Sequence, residues 1–314
     1  MSACLLCGAP VRAALDGVRD TRFGVPGTWT IMRCDACFLL QTEPRPDAAE
    51  LTRLYEAHYN LGGEGETAYG KAREKFLFST VYRVWLALDG DVSFHAERAR
   101  AGQAGGRLLD IGCNEGRGLE IYRANGFAAE GLELNRNAAR VARSRGFAVH
   151  EADIAAFTPD APFDRAVLSN VLEHALDPRA MLRHVHRILA PEGEVWISLP
   201  NAESWLARRF GREWINWHVP FHITHFTASR LSRLLEESGF AVTSVRSITP
   251  ALWVAQSLLA WLGRGRADPT EMFRKRWLIA GLMLAVRGLM FSILWAQNRA
   301  GRGDCLVVKA RRRP

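Results

Sequence analysis

The sequence predicts an α/β fold with a largely parallel sheet, and the pattern along residues 108–169 carries that prediction. Residues 108–111 form an apolar run that ends in a cluster of glycines, which indicates a buried strand followed by a tight turn. Helical patterns separate three further short apolar runs, at 127–134, 147–149 and 163–169. Strands that alternate with helices in this way predict βαβ units.

The glycine cluster after the first strand is a candidate ligand-binding turn. Gly112 and Gly116 allow the backbone to turn sharply and approach a ligand, and the helix that follows offers unpaired N–H groups. Asp110 lies at the strand tip, and Glu133 follows it by 23 positions. That offset is close to the roughly 20 residues at which an acidic side chain meets a ribose diol. The pattern predicts a nucleotide-type cofactor site.

The run from Asp110 to Gly116, Asp-Ile-Gly-Cys-Asn-Glu-Gly, resembles the first motif of the class I S-adenosylmethionine-dependent methyltransferases. Asn114 stands where a glycine is usual, and asparagine tolerates left-handed backbone angles better than most residues. The Asn-Val-Leu-Glu-His run that begins at Asn170 resembles the family segment beside the sulfonium. An NAD-type Rossmann domain is the alternative, but this second run has no role there.

The resemblance implies a Rossmann-like, seven-stranded methyltransferase sheet that binds S-adenosylmethionine. It implies that Asp110 and Gly112 lie near the methionine part of the cofactor, that Glu133 holds the ribose hydroxyls, and that Asp153 contacts the adenine amino group. The cofactor-binding residues that it implies are Asp110, Gly112, Asn114, Gly116, Glu133, Leu134, Asp153, Ile154 and Asn170.

Two C-x2-C pairs, Cys4 with Cys7 and Cys34 with Cys37, lie near the N-terminus with 26 residues between them. Four thiolates in this arrangement match a tetrahedral structural zinc site, and a closed four-cysteine site leaves no coordination position open for catalysis. A redox dithiol and chance spacing are the alternatives. The sequence predicts a zinc ribbon or knuckle around a small β element. The apolar residues expected to form that element are Val11, Phe23, Val25, Trp29 and Ile31.

The chain divides into an N-terminal module, a linker and a core with an insertion. The predicted segments are a zinc knuckle at 1–45, a helical linker or lid at 46–100, the methyltransferase core at 101–250, an apolar helical insertion at 251–303, and the last core strand with a basic tail at 304–314. The segment after Cys37 resembles the one that joins such a knuckle to a methyltransferase in bacterial proteins acting on sugars or surface glycans. Tyr55, His58 and Tyr59 are expected either to close the acceptor pocket or to pack between the modules.

Methyl transfer to an oxygen or a carbon needs a base, and histidine is the natural base near neutral pH. A fifth strand is predicted at 193–199, and His222, in the loop that follows it, is the favoured catalytic candidate, followed by His174 and His225. His218 lies on the same loop. Each of these histidines has an alternative role as a hydrogen-bonding residue that holds a loop.

Other side chains near these histidines have less specific patterns. Glu173 is expected to orient a histidine or to bind a metal, although no three-ligand spacing is evident. Trp205, Trp214 and Trp217 suit stacking on a sugar ring or a flat acceptor, and they suit a core equally well.

Two apolar segments, 251–262 and 277–295, lie between the last two predicted strands and form a predicted helical hairpin. The second is nearly long enough to span a bilayer, but Arg287 sits at its centre, where a charge costs about 2.5–3.5 kcal/mol. Basic clusters at 274–276 and 311–313 favour anionic headgroups. The hairpin is expected to lie on a membrane surface or against a partner, with a buried helical pair or a dimer contact as the alternatives.

Charge and composition bound the function. After residue 250 the chain has twelve Lys or Arg and three Asp or Glu, so the basic character belongs to the C-terminal region. No signal peptide is evident at the start, and a cytoplasmic protein is expected, with peripheral contact to the inner face of the membrane through 251–297.

The resulting functional prediction is methylation of an oxygen or carbon on a sugar, a lipid-linked molecule or another small acceptor. The alternatives are an RNA methyltransferase, and a non-catalytic scaffold that binds the cofactor at the membrane. Against RNA, the basic residues accompany apolar helices rather than a polar groove.

Overall fold

A computed structural model describes residues 2–58, 75–99, 106–265 and 270–314. Tyr59, which was expected near the acceptor pocket, lies outside the described residues. So do residues 60–74 and 100–105, which belong to the linker and the segment before the first core strand.

The described chain forms two β-sheets. The strands, in chain order, are β1 (Val11–Val18), β2 (Trp29–Cys34), β3 (Leu40–Glu43), β4 (Arg107–Ile111), β5 (Ala128–Leu132), β6 (Val149–His150), β7 (Phe163–Ser169), β8 (Leu189–Pro200), β9 (Thr224–His225), β10 (Phe240–Ile248) and β11 (Cys305–Arg312). The larger sheet has seven strands in the order β10–β11–β8–β7–β4–β5–β6.

Helices cover both faces of the larger sheet. The α-helices of the described chain are α1 (Ala48–His58), α2 (Thr80–Asp89), α3 (Arg117–Ala124), α4 (Arg136–Ser144), α5 (Pro178–Ile188), α6 (Trp205–Phe210), α7 (Ala228–Glu237), α8 (Ala251–Gly263), α9 (Glu271–Arg274) and α10 (Arg276–Arg299). Leu108 joins an apolar cluster with Tyr122 of α3, whereas Leu109 joins one with Leu182 of α5. Both leucines of β4 are fully buried, as expected for a strand between two helical layers.

The pairing within the larger sheet confirms the predicted Rossmann-like methyltransferase fold. β4 pairs in parallel with β5 and β7, and further parallel pairs join β5 to β6 and β7 to β8. β11 runs antiparallel to both β8 and β10. Because the parallel strands end at one edge, the residues that follow β4, β5, β6 and β7 meet there.

One predicted turn lies inside a strand. The Ala-Pro-Glu-Gly sequence of residues 190–193 is typical of a turn, but β8 already begins at Leu189. The pairing with β7 jumps from Phe163↔Leu189 to Arg165↔Glu194, so the strand accommodates the extra residues as an irregularity.

The smaller sheet joins the N-terminal module to the core. Its order is β1–β2–β3–β9, and β9 comes from the loop that follows β8 in the core. Phe23 and Val25, expected in the β element, lie in the loop between β1 and β2 instead. Their backbone N–H groups donate to the carboxylate of Asp20 at 3.1 and 2.9 Å, which curls this loop.

The segment before β4 is less helical than the sequence pattern indicates. α2 ends at Asp89 and is capped by Gly90, whose φ is 86° and where a Cβ atom would lie 2.6 Å from Cγ2 of Ile248. Residues 91–99 then form turns, because the Asp91 carboxylate accepts backbone hydrogen bonds from Ser93 and Ala96 at 2.9 and 2.6 Å.

The C-terminal insertion is a pair of apolar helices, as predicted. α8 is largely buried, whereas most of α10 is exposed, with Trp277 77% and Leu289 85% exposed. By length and composition alone, α10 could cross a membrane. Arg287, at its centre, forms an ion pair with Asp89 at the end of α2.

Candidate active site

The turn after β4 has the backbone shape that the glycine pattern predicts. Gly112, Asn114 and Gly116 have φ angles of 71°, 52° and 78°, all left-handed. A Cβ atom on Gly112 would lie 2.9 Å from Cγ2 of Val171, and one on Gly116 would lie 2.9 Å from Cβ of Ala142. Asparagine therefore occupies the one position of the three that does not need the space of a glycine. This close approach leaves a backbone cradle suited to a cofactor.

Two carboxylates lie beside this turn. Glu133 accepts hydrogen bonds from the backbone N–H groups of Asn114 and Asn135, each at 2.8 Å. Burial, and then the nearby charge of Glu133, raises the pKa of Asp110 to about 7. The buried Asp110 and the half-buried Glu133 form an acidic pair, which favours a cationic ligand, and the sulfonium and amino groups of S-adenosylmethionine are cationic. The donor set fits that cofactor.

The remaining residues expected at the cofactor lie along the same edge of the sheet. Leu134 is 66% exposed after β5, and Asp153 is exposed after β6, where it accepts from the backbone N–H of Ala155 at 2.7 Å. Ile154 is buried. Asn170 follows β7 with a left-handed φ of 56°. The structure thus brings the predicted cofactor residues to one edge of the sheet.

A buried cluster of histidines lies next to this edge of the sheet. Val171, which packs against Gly112, is followed two residues later by Glu173 and then by His174. The imidazole of His222 lies 4.6 Å from that of His174, centroid to centroid, and 4.8 Å from that of His218. The four catalytic candidates from the sequence therefore lie close together, although His225 is at the far side of the cluster.

Backbone carbonyls set the tautomers of two of these rings. Nδ1 of His222 lies 2.8 Å from the carbonyl oxygen of Asn216, and Nδ1 of His174 lies 3.0 Å from that of Phe221. A carbonyl only accepts, so each Nδ1 carries the hydrogen and each Nε2 keeps its lone pair. Burial holds the pKa of His222 well below its ordinary value and lowers that of His174 to about 4. Both rings are neutral at pH 7.

Glu173 is the acidic member of the cluster. Its carboxyl group is buried, and neither oxygen has a hydrogen-bond partner among the described residues. Burial raises its pKa to about 8, and Oε1 lies 3.9 Å from Nε2 of His222. The cluster therefore contains two groups that can carry a proton, a carboxyl group and an imidazole, at a distance too long for a hydrogen bond. The ligand atoms of Glu173, His174 and His222 also lie within 4.8 Å of one another, a set that can hold a divalent metal ion.

The N-terminal segments complete this side of the site. Tyr55 of α1 lies 2.8 Å from Nδ1 of His174 through its hydroxyl, and His58 packs edge-on against Phe221. Phe23, in the loop between β1 and β2, stacks at 5.5 Å from His218. Sequence reasoning missed Phe23 as a site residue, because no local signal relates it to a loop almost 200 positions later.

Two tryptophans expected to stack on an acceptor are core residues. Trp214 and Trp217 are 2% and 6% exposed, and Trp214 donates through Nε1 to Asp304 at 2.8 Å. Asp304 also accepts from Ser204 at 2.7 Å and so ties down the segment that leads to the histidines. Trp205 lines an apolar cavity of about 200 Å³ between α6, α8 and α10 rather than the histidine cluster.

The four N-terminal cysteines converge as the spacing predicts. Sγ of Cys4 lies 3.4 Å from that of Cys37, Sγ of Cys7 lies 3.5 Å from that of Cys34, and all four lie within 4.8 Å of one another. Zinc with four bonds of about 2.3 Å separates its sulfurs by about 3.8 Å, so these thiols need only a small expansion to fit.

Comparisons with known proteins cover both the glycine turn and the histidine cluster. A family profile described as a methyltransferase domain matches residues 87–245. The ubiquinone biosynthesis O-methyltransferase of Pseudomonas aeruginosa is 30% identical over 164 residues, which cover 48% of this chain and 71% of that protein. The protein of the same name from Ralstonia nicotianae is 33% identical over 151 residues, which cover 45% of this chain and 63% of that protein.

Solved structures show a looser similarity. The Burkholderia thailandensis 1,6-didemethyltoxoflavin-N1-methyltransferase, with bound 1,6-didemethyltoxoflavin and S-adenosylhomocysteine, is 15% identical with a TM-score of 0.48. The alignment covers 96% of this chain and 100% of that one. The range matched by the family profile, 87–245, contains the glycine turn and the histidine cluster, whereas the four cysteines lie before this range.

Proposed function

The chain belongs to the class I S-adenosylmethionine-dependent methyltransferases, and we propose that it methylates an oxygen or a carbon of a small organic acceptor. The observation that carries this proposal is the buried Glu173–His222 pair, which lies beside the cofactor turn through the contact of Val171 with Gly112. Relatives named O-methyltransferases support an oxygen as the methylated atom. A sugar or a lipid-linked molecule is the acceptor class that we favour.

The cofactor would bind at the carboxyl edge of the sheet, where it supplies a methyl group activated by its sulfonium. Asp110 and Gly112 would hold its methionine part, Glu133 its ribose hydroxyls, with Leu134 beside them, and Asp153 its adenine amino group. The protein's own contribution is alignment and the exclusion of water, because displacement at the methyl group is an in-line reaction.

The acceptor needs to lose a proton as it gains the methyl group. We assign that proton to Nε2 of His222, with His174 and His225 as the alternative bases. Since Nδ1 of His222 donates to the carbonyl of Asn216, Nε2 is the nitrogen of this ring that carries the lone pair, and it lies 3.3 Å from Nδ1 of His218. An ionised Glu173, 3.9 Å away, would stabilise the imidazolium that forms.

A structural zinc ion at Cys4, Cys7, Cys34 and Cys37 belongs to this proposal. The four thiols are close enough to share one ion, and they surround no open coordination position. Cys4 and Cys7 precede β1, whereas Cys34 ends β2 and Cys37 lies in the turn before β3, so an ion would join the segment before β1 to the turn between β2 and β3.

We further propose that the protein is cytoplasmic and contacts the inner face of the membrane through α10. Trp277, Leu284 and Leu289 on this helix are 77%, 63% and 85% exposed. The basic run 274–276 precedes them and suits anionic headgroups. The C-terminal end of the helix is tied to the sheet by Thr249, which donates to Asn298 at 2.7 Å, so α10 would lie along the surface rather than across the bilayer.

The test uses methyl-labelled S-adenosylmethionine, the purified protein and an extract of the source cell. Label is separated into lipid, small-molecule, RNA and protein fractions, with Asp110→Ala as the blank. Label above the blank in the lipid or small-molecule fraction supports the proposal. Label in the RNA fraction would contradict the small-molecule acceptor and identify an RNA methyltransferase. Cofactor binding without any transfer would support a non-catalytic scaffold.

A further inference from the structure

The four-cysteine module (residues 2–43) lies outside the matched methyltransferase domain, yet it reaches the histidines. The segment 216–226, called the histidine loop below, carries His218, His222 and His225. It contains β9, the strand that the core contributes to the smaller sheet. Strand β3 of the module is the neighbour of β9 in that sheet.

Backbone pairing is the first link between the module and the histidine loop. Leu40 pairs with His225 and Gln41 pairs with Thr224, in antiparallel register. The N–H of Thr42 donates to the carbonyl of Ile223 at 3.0 Å. These bonds fix the position of the histidine loop along β3, because the pairing of two strands specifies their register.

The side chain of Thr42 is the second link. Its hydroxyl donates to the carbonyl oxygen of His222 at 2.7 Å and lies 2.9 Å from Nε2 of His225. The single hydroxyl hydrogen is used at the carbonyl, so the hydroxyl oxygen accepts from Nε2–H of His225. One buried threonine therefore orients the backbone of the favoured base and sets the tautomer of a second histidine.

The third link runs from β3 to the cysteines. The side chain of Gln41 is fully buried, donates to the carbonyl of Ala3 at 3.1 Å and accepts from the N–H of Leu5 at 3.0 Å. Ala3 and Leu5 flank Cys4. The knuckle that carries this cysteine is thereby attached to the strand that pairs with the histidine loop.

The core holds the loop from its other side. The N–H of Ile223 donates to the carbonyl of Glu173 at 2.8 Å, while the carbonyl of Ile223 accepts from Thr42. The peptide groups around Ile223 thus bridge the turn that carries Glu173 and the four-cysteine module. Without the bonds from the four-cysteine module, only the bond from Ile223 to Glu173 would set the spacing of His222 and Glu173.

We infer that the four-cysteine module is a positioning element of the acceptor site, with Thr42 as the positioning residue for His222 and His225. Metal at the four thiolates would keep β3, through Gln41, in the place that orders the histidine loop. The inference rests on the proposed function for its catalytic consequence. Its structural content is independent of methyl transfer.

The test compares Thr42→Val, which keeps the shape and removes the hydroxyl, with Thr42→Ser, which keeps the hydroxyl. Thr30→Val is the matched control, because Thr30 lies in β2 of the same sheet and its hydroxyl bonds Asp16 instead. The readouts are the ring-nitrogen NMR signals of His225 and the affinity for S-adenosylhomocysteine. His225→Gln assigns the signals.

We expect Thr42→Val to alter the His225 tautomer signals, while Thr42→Ser and Thr30→Val retain them. S-adenosylhomocysteine should bind all three variants as it binds the wild type. Once an acceptor fraction is in hand, kcat of Thr42→Val should fall about three- to tenfold, with recovery in Thr42→Ser. Unchanged His225 signals in Thr42→Val would overturn the inference, and so would equal changes in Thr30→Val, which would indicate a general loss of stability.

A second measurement addresses the cysteines. Cys7→Ser is compared with the wild type for bound metal and for amide hydrogen exchange. Metal loss should speed exchange in the histidine loop and leave β4 unchanged. Metal loss with unaltered exchange in the loop would reject the role of the metal. Since neither readout requires turnover, a protein with no methyltransferase activity could still pass both tests, and an active one could fail them.

Discussion

The cofactor edge and the acceptor cluster lie side by side, but they are built in different ways. Asp110, Gly112 and Glu133 fall within 24 consecutive residues, and their arrangement follows from one strand, one turn and the next strand. The acceptor cluster joins Glu173 to His222, 49 positions later, and adds side chains from the N-terminal module. Local chain geometry makes the first, and long-range pairing makes the second.

That difference has a functional meaning. Backbone groups and two carboxylates form the cofactor edge, so damage there should remove binding itself. The acceptor cluster is made of neutral rings around one carboxyl group, so damage there should slow proton removal while the cofactor still binds. Substitutions in the two regions should therefore separate affinity from rate.

The largest effect is expected at Asp110. Asp110→Ala removes a buried carboxylate from a site suited to a cationic ligand, and the affinity for S-adenosylmethionine should fall about 100-fold. Isothermal titration calorimetry measures this change. Asp160→Ala, in an exposed loop, is the control. Near-normal affinity in Asp110→Ala would mean that the backbone cradle alone holds the cofactor.

The next effect is expected at His222. His222→Gln removes the proposed proton acceptor, and kcat should fall about 100-fold or more while the dissociation constant for the cofactor stays unchanged. His184→Gln, on α5 and outside the cluster, is the control. A loss confined to His174→Gln or His225→Gln would transfer the role to that residue.

The pH dependence of turnover reports on Glu173. Its pKa of about 8 means that the carboxyl is mostly protonated at neutral pH, and the ionised form is the one that stabilises an imidazolium. The rate should therefore rise as pH increases through about 8 in the wild type. Glu173→Gln should have a lower rate with this rise removed. A rise that persists in Glu173→Gln would exclude Glu173 as its source.

Glu173 should also affect stability, with a smaller effect. The folded protein keeps a proton on this carboxyl between pH 4.5 and about 8, whereas the unfolded chain has lost it. Stability contributed by this group must fall as pH rises through that window, because the folded state binds more protons. Between pH 5 and pH 8, the unfolding free energy of the wild type should therefore fall by about 1–3 kcal/mol more than that of Glu173→Gln, as measured by urea denaturation.

The smallest effect is expected on α10, away from both regions. Leu289 is 85% exposed, so Leu289→Ser should change the unfolding free energy by no more than about 0.5 kcal/mol. The same change should weaken binding to vesicles of anionic phospholipid in a flotation assay. Leu259→Ser, at a buried position on α8, should instead destabilise the fold. Undiminished vesicle binding by Leu289→Ser would remove this face of α10 from the proposed membrane contact.

Sequence patterns predicted the larger sheet and the cofactor edge well for a physical reason. The spacing of apolar residues differs between strands and helices and reports directly which side chains are buried. The left-handed turn at Gly112, Asn114 and Gly116 requires residues that tolerate positive φ. Asn114 was predicted to tolerate it, and its φ of 52° confirms this. The C-x2-C pairs were equally informative, because adjacent knuckles bring thiols together with little help from the rest of the chain.

The sequence by itself determined the fold class, the strand–turn–helix at Asp110 and the convergence of the four cysteines, because each depends on residues near one another in the chain. Only the tertiary structure decided that β3 of the N-terminal module pairs with β9, that Trp214 and Trp217 belong to the core, and that Thr42 contacts His222 and His225. Those contacts join segments about 180 residues apart. No local pattern specifies them, since such pairings depend on how whole layers pack.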